Sequence, residues 1–438
     1  MAEAQNSPVA QISEIRAKNI RAFKNLFLRL SPRPNEGQWI ILLGDNGTGK
    51  TTLLRSIALT ILASDVAQTL LLTSKFPVFY VRQDAEYGEF NLKINGEMFT
   101  AKFRPKGRKN THSHVFNDAN ERSVPFFVGY GSKRGSALGD GRAPSSERPQ
   151  DPVLTLFDEQ AELIQAESWL EKLDYETIKT ESEDARATLD SAINALTSLL
   201  PEVSEIRVNP NEVMVKVPAG LIPLSSLSDG YLTTLGWVVD LLARWQENSG
   251  NAKPLAPASM TGIVLLDEID LHLHPKWQCQ IIPMLRSVFP LMTFVVTTHS
   301  PLTVLGAKPG ELHVLERSDD GQEVTISQRD IRPGATADEI LTSVLFDLAS
   351  TTDQETLDLL QRHAEMARSK SAVDASEMKN IEAELTNRLT SPIAQASEAL
   401  FREKVQSILY AEDKVLTEDE QASAIAKIRN LMPEKEEK

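Results

Sequence analysis

The sequence predicts an α/β protein: a mixed sheet carrying a phosphate-binding loop, an antiparallel β subdomain, a short helical insertion and a helical C-terminal region. Three observations carry that prediction. First, the apolar strand Trp39-Ile40-Ile41-Leu42-Leu43 runs into Gly44-Asp45-Asn46-Gly47-Thr48-Gly49-Lys50-Thr51-Thr52, which fits GxxxxGK[ST] and is followed by a helical pattern from Lys50 to about Leu62. Second, Phe90-x-Leu92-x-Ile94 and Phe99-x-Ala101-x-Phe103 flank Asn95-Gly96, the strongest short-range hairpin signal. Third, the later apolar runs Gly262–Leu266 and Phe294–Val296 alternate with helical stretches, as in a parallel sheet whose ligands bind at the carboxyl edge.

From Ile12 to Leu30 short apolar and polar steps predict a pair of strands with one buried face. In the helix after the phosphate loop, Leu53, Leu54, Ile57 and Leu59 supply the buried side. Lys102-Phe103-Arg104-Pro105-Lys106-Gly107-Arg108-Lys109, with His112 and His114 behind it, reads as a solvated basic loop. Nucleic-acid contact is the alternative. The strand Val124–Tyr130 breaks into a Gly/Pro/Ser-rich stretch to Pro152. Helical patterns follow over about Val153 to Leu173 and Glu183 to Leu200, too short for a long coiled-coil arm.

Two short strands, Glu205–Val208 and Val213–Val217, lead into Leu227-Ser228-Asp229-Gly230-Tyr231 and a helix reaching about Trp245. From about Ala335 onward the chain reads as helical: Ile340 to Leu345, Leu357 to Leu360, Ile381 to Leu389, Ala394 to Leu409 and Thr417 to Leu431. A charged tail, Glu434 to Lys438, is expected to be disordered. The resulting division is 1–131, an N-terminal lobe with the phosphate loop, then 132–204, a loop and helical insertion. Next come 205–349, a second lobe, and 350–438, a helical region that is a candidate for partner binding.

Length and composition set limits. A chain of 438 residues with 41% hydrophobic content can bury a sizeable core. A single cysteine, Cys279, excludes an internal disulfide framework and a multi-cysteine zinc site; it reads as a small buried hydrophobe in a reducing compartment. No signal-peptide pattern and no run of membrane-spanning length occurs, so a cytoplasmic location without membrane contact is expected. The net charge of −15 argues against a protein coated for nucleic-acid binding, although a local basic track is compatible with it.

The residue types at the loop answer physical needs. Glycines let the backbone turn N–H groups around a polyphosphate, Lys50 neutralises its charge, and Thr51 is placed to hold Mg²⁺. The apolar run Gly262-Ile263-Val264-Leu265-Leu266 delivers Asp267 and Glu268, the first suited to the Mg²⁺ shell and the second to polarising water as a general base. Asp270, His272 and His274 continue that loop, either as metal ligands or as a switch or interface loop. His299, in Thr298-His299-Ser300, is either a γ-phosphate sensor or a satisfied core histidine, and its order behind the other motifs favours the sensor. Ser228 and Gly230 open a helix whose free N–H groups favour an anion.

Taken in order, Gly44–Thr51, Leu227–Tyr231, Leu266-Asp267-Glu268 and Thr298-His299-Ser300 resemble the Walker A, signature, Walker B and switch-histidine motifs of ABC-type P-loop ATPase heads. The wording Gly-Asp-Asn-Gly-Thr-Gly-Lys-Thr-Thr-Leu-Leu and Asp-Glu-Ile-Asp-Leu-His-Leu-His-Pro narrows the resemblance to the RecF/SMC-like group and to the small ATPases of Septu- and OLD-related anti-phage systems. It covers about residues 12 to 349. The resemblance implies ATP and Mg²⁺ as ligands and an ATP-binding set of Gly44, Asn46, Gly47, Gly49, Lys50, Thr51, Thr52, Ser228 and Gly230. Thr51 and Asp267 take the metal, and Glu268 and His299 are catalytic. It also implies a homodimer or larger homo-oligomer in which two protomers sandwich ATP, each γ-phosphate meeting Ser228 and Gly230 of the opposite chain.

One departure stands out. Relatives carry a glutamine after the strand that precedes the helical insertion, whereas Gly129-Tyr130-Gly131-Ser132-Lys133-Arg134 has none; Gln83 fits the pattern but comes before the hairpin. The expected function is an ATP-hydrolysing sensor or regulatory subunit of an anti-phage complex. No nuclease motif is evident in the chain, so a separate effector, a nuclease or other toxin, is the expected partner, with DNA a further candidate ligand. A RecF-like DNA-repair clamp and a transporter's nucleotide-binding subunit are the alternatives.

Overall fold

The computed structural model describes residues 9–73, 80–106, 112–119, 122–134, 151–209, 212–249, 254–346 and 353–368. Positions 83, 319–320, 322, 333 and 344 are excepted, and a few positions between 380 and 388 are added. Gln83, the end of the basic stretch (107–111) and the helices expected over 394–409 and 417–431 lie outside the described residues.

The chain begins with β1 (Ile12–Ile20) and β2 (Phe23–Arg29), antiparallel, and passes to β3 (Trp39–Gly44), all but fully buried. Gln38 ties β1 to β3: its side-chain amide exchanges two 2.8 Å hydrogen bonds with the backbone of Ile12. The loop after β3 feeds α1 (Lys50–Ile61), and α2 (Ser64–Thr73) follows. Strands β4 (Gly88–Ile94), β5 (Glu97–Lys106) and β6 (His112–Asn117) complete a five-stranded antiparallel sheet of order β2-β1-β4-β5-β6. The Asn95-Gly96 turn joins β4 to β5 with both residues at positive φ, as a tight hairpin requires.

The basic stretch is corrected here. Lys102 and Arg104 belong to β5, exposed on either side of the buried Phe103, and His112 to Asn117 form a returning strand rather than a trailing loop. Alternation, not charge, decides the backbone: one buried side chain in two is enough to pay the strand into the sheet.

After β7 (Phe127–Tyr130) the expected helix from Val153 does not form. A 3₁₀ segment, Asp151–Leu156, comes first, and α3 (Ala166–Thr180) starts later; α4 (Glu183–Leu199) then begins behind the capping hydroxyl of Ser182. Val153, Leu156 and Phe157 are buried in the core shared with α1, and this tertiary burial mimics a helical stripe on a turn. Strands β8 (Glu205–Asn209), β9 (Glu212–Val217) and β10 (Gly220–Pro223) form a small antiparallel sheet that packs against α3 and leads to α5 (Asp229–Asn248).

The second half supplies β11 (Gly262–Leu266), α6 (Pro275–Gln278), α7 (Ile281–Val288), β12 (Met292–Thr298), α8 (Pro301–Val304), β13 (Leu312–Arg317), β14 (Val324–Arg329) and α9 (Ala337–Leu341). The central sheet has the order β14-β13-β3-β12-β11-β7, parallel throughout except for β14. Its central strands β3, β11 and β12 are buried on both faces, which is why they read as unbroken apolar runs. On one face Ile40, Leu42, Ile263, Leu265 and Val295 join α1 and the antiparallel sheet; on the other Ile41, Leu43, Val264, Leu266 and Val296 join α5 and α7. Trp39 stacks on Phe294 across β3 and β12 with centroids 4.5 Å apart.

The chain separates into two compact units, residues 1–349 and 350–438. In the second, α10 (Gln354–Arg368) is described, and Leu359, Ile381 and Leu385 form a small apolar cluster. Cys279 is partly buried, not fully so as expected. No helix among the described residues is long and apolar enough to cross a membrane.

Candidate active site

The carboxyl ends of β3, β11 and β12 lie side by side, and each contributes its motif to one cleft of about 840 Å³. The loop after β3 reaches α1 through Gly49, which caps the helix at φ +100°; a Cβ there would lie 2.7 Å from the ring of Phe23. No side chain caps α1 and no acid occupies its first turn, so its free N–H groups and positive dipole end face the cleft. Arg317 on β13 holds the loop from outside, donating to the carbonyl of Gly47 at 2.8 Å.

Lys50 is 6% exposed, and its Nζ donates to the carbonyls of Gly44 at 2.6 Å and Asp45 at 2.9 Å. Burial pushes its ammonium down to about 8, against the pull of Asp267 and Glu268. Thr51 Oγ1 donates to Asp267 Oδ2 at 2.7 Å, while Thr297 Oγ1 donates to Asp267 Oδ1 at 2.6 Å and accepts the amide of Glu268 at 2.7 Å. Two segments, α1 and β12, thus hold the two acids.

Glu268 adopts a left-handed backbone, φ +49°, and its side chain lines the cleft. Burial, then the neighbouring Asp267 and Asp270, push its carboxyl above the ordinary glutamate range; Arg134 and Lys50 oppose them. His299 also lines the cleft, half-buried, its imidazole pushed down by burial and then by Lys50. The loop that carries it is tied back by a hydrogen bond from Thr298 Oγ1 to Asp270.

Of the residues expected from sequence, Asn46, Gly47, Gly49, Lys50, Thr51, Thr52, Asp267, Glu268 and His299 line this cleft; Gly44 does not, although its carbonyl accepts from Lys50. Ser228 and Gly230 do not line it. Ser228 is the exposed N-cap of α5 and makes no capping bond with its side chain. Gly230 is buried, and its need for glycine has a source within the chain: a Cβ would lie 2.4 Å from the carbonyl oxygen of His272. Contact with a phosphate is therefore not required to explain that glycine.

Arg21, Arg55 and Arg82 line the same cleft and escaped the motif reading. Arg55 was findable, since it lies one helical turn beyond Thr51 on the same side of α1. Arg21 sits between β1 and β2 at φ +46°, where alternation says nothing about direction. With Lys50 they give the cleft four cationic side chains against Asp84, Asp267 and Glu268, in a chain of net charge −15. A polyphosphate fits that balance, and Thr51 and Asp267 present the adjacent oxygens that a hard divalent cation takes.

His272, exposed at φ +62°, and His274, the N-cap of α6 through Nδ1, do not converge; no group of three metal-ligating side chains occurs among the described residues.

Residues 40–305 match the family described as "AAA domain, putative AbiEii toxin, Type IV TA system". The chain belongs to this AAA-domain family. Its relatives include proteins named for Septu and retron systems. It is 26% identical to "Septu protein PtuA" of Bacillus mycoides over 356 residues, covering 78% of this chain and 45% of that one. It is 40% identical to "Retron Ec83 probable ATPase" of Escherichia coli over 116 residues, covering 26% of this chain and 21% of that one. The chain thus spans less than half the length of each. Among solved structures it resembles the SMC head domain from Thermotoga maritima, with a TM-score of 0.40 and 16% identity over 73% of this chain and 100% of that chain.

Proposed function

We propose that this protein binds and hydrolyses ATP as the sensor or regulatory subunit of an anti-phage complex and controls a separate effector such as a nuclease. The observation that carries the catalytic part is the convergence of Lys50, Thr51, Asp267, Glu268 and His299 on one cation-rich cleft. Lys50 and the amides opening α1 bind the phosphates. Thr51 and Asp267 would hold Mg²⁺, which supplies charge neutralisation and orients the phosphoryl oxygens. Glu268, with its raised carboxyl, takes the proton from the attacking water as oxygen bonds to the terminal phosphorus and the bond to the bridging oxygen breaks. His299, held neutral, donates or accepts at the terminal phosphate.

The oligomeric part rests on Ser228, which stands exposed at the N-terminus of a 20-residue helix and outside the cleft of its own chain. A second copy that places this terminus over the cleft completes the phosphate cage. The defence role comes from the relatives named for Septu and retron systems. Purification of the chain expressed with its neighbouring genes tests the whole reading: a stoichiometric soluble effector, retained in ATP with Mg²⁺, is the expected result. A permease or DNA alone would redirect it to transport or repair.

A further inference from the structure

The place where related ATPases carry a glutamine is filled by a buried cation. Arg134 is 6% exposed, and its two terminal nitrogens donate to consecutive main-chain carbonyls, Nη1 to Asp267 and Nη2 to Glu268, each at 2.8 Å. Among the described residues no carboxylate comes within ion-pair distance of it, although Asp267, Glu268 and Asp270 attract its charge, and its Nε is buried without a partner. A guanidinium removed from water without a paired acid is costly, and such a group persists where its geometry is needed. The geometry here is planar and bidentate, and it fits two carbonyls that project from one turn.

That turn needs an external hold. Glu268 is a non-glycine residue in the left-handed region, a conformation that persists only where the surroundings impose it. Inside the turn, the amide of Leu271 returns to the Glu268 carbonyl at 3.1 Å, the same oxygen that accepts from Arg134. Thr297 holds the other side through the Glu268 amide at 2.7 Å.

We propose that Arg134 is a positioning residue for the ATPase site: by clamping both carbonyls it fixes the Asp267–Glu268 turn, so that one carboxylate faces Thr51 and the other enters the cleft. This rests on the reading of Glu268 as the base. Lysine carries its three donors on a single nitrogen and glutamine its two on a single shorter amide, so neither reproduces the rigid planar fork that places two separate nitrogens on the two carbonyls.

The test uses the full chain with Arg134→Lys and Arg134→Gln. ATP turnover, affinity for a fluorescent ATP analogue, thermal midpoint and amide exchange at Ile269 and Leu271 are measured for each. Expected are a fall in kcat of roughly 10- to 100-fold, as for supporting groups behind a reactive centre, affinity within about threefold of the parent, and faster exchange confined to the 268–271 turn. Turnover within about twofold of the parent, or affinity that falls in step with kcat, overturns the proposal. So does exchange raised throughout the chain, which marks a general structural role. Turnover is also measured in Glu268→Gln: if that variant keeps full turnover the base assignment fails, while the local exchange in the Arg134 variants still reports whether Arg134 clamps the turn.

Discussion

Tyr130 Oη donates to Asp240 Oδ2 at 2.9 Å, and neither residue is more than 1% exposed. The same carboxylate accepts from Arg244 Nε at 2.7 Å and from the amide of Ile164 at 3.1 Å through Oδ1. The end of β7, the helix behind the signature and the approach to α3 are thereby joined at one buried anion. Asp240→Ala leaves Arg244 without its partner in the interior, and a loss of about 3–5 kcal/mol is expected. Chemical denaturation of parent and variant measures it; a change below about 1 kcal/mol would mean that water or another acid reaches Arg244.

Glu268→Gln is expected to bind ATP as the parent does while turnover falls at least about 10²-fold, the scale of a lost general base. With the carboxyl pushed above the ordinary range, the parent's rate should fall as pH is lowered through a midpoint higher than that of a solvated glutamate. The acid form holds its proton and cannot take one from water. Rate against pH under saturating ATP reads this limb, and its absence in an otherwise active enzyme would remove Glu268 from the role.

Ser228 and Gly230 should separate. Ser228→Arg adds a long cation at an exposed helix terminus, so dimer formation in ATP is lost while monomeric nucleotide binding and the thermal midpoint are kept. Gly230→Ala strikes the carbonyl of His272 within its own chain and should lower the midpoint even without nucleotide. Sizing with and without ATP, beside thermal melts, distinguishes them. Equal dimerisation of parent and Ser228→Arg would sink the sandwich.

His313 on β13 is fully buried with neither ring nitrogen hydrogen-bonded, and burial pushes its imidazole down to about 4 from 6.5. Between those two values the unfolded chain takes up a proton that the folded chain refuses. Stability is therefore lost as pH falls from about 6.5 to about 4, by on the order of 3 kcal/mol at the lower end. His313→Leu should flatten that part of the profile, read from denaturation midpoints across the window.

The cleft was largely legible because phosphate chemistry constrains residue type and spacing at once: Lys50, Thr51, Asp267 and Glu268 announce themselves in order. Arg134 did not, since the signal lay in an absent glutamine and not in a motif. Its partners are backbone carbonyls more than 130 positions away, which carry no residue identity. In the fold, the hairpin at Asn95-Gly96 and the helix from Glu183 were readable from local chemistry. Strand β13 went unassigned because His313 and Glu316 interrupt its apolar run, and the edge strand β14 because most of its side chains are exposed or half-exposed. The turn around Phe157 passed for a helix because burial from tertiary packing imitates helical spacing.

The strand that delivers the phosphate loop pairs with neighbours made much later: β3, complete at Gly44, takes its two partners from residues 292–298 and 312–317. During synthesis one of its edges therefore stays bare until the chain beyond Thr298 has left the ribosome and the other until the chain beyond Arg317 has, an interval in which an apolar strand is exposed to aggregation and to chaperones. A nascent fragment that stops before Met292 is expected neither to fold around Lys50 nor to hold nucleotide, so the site comes into use only after the strands that flank β3 have been made.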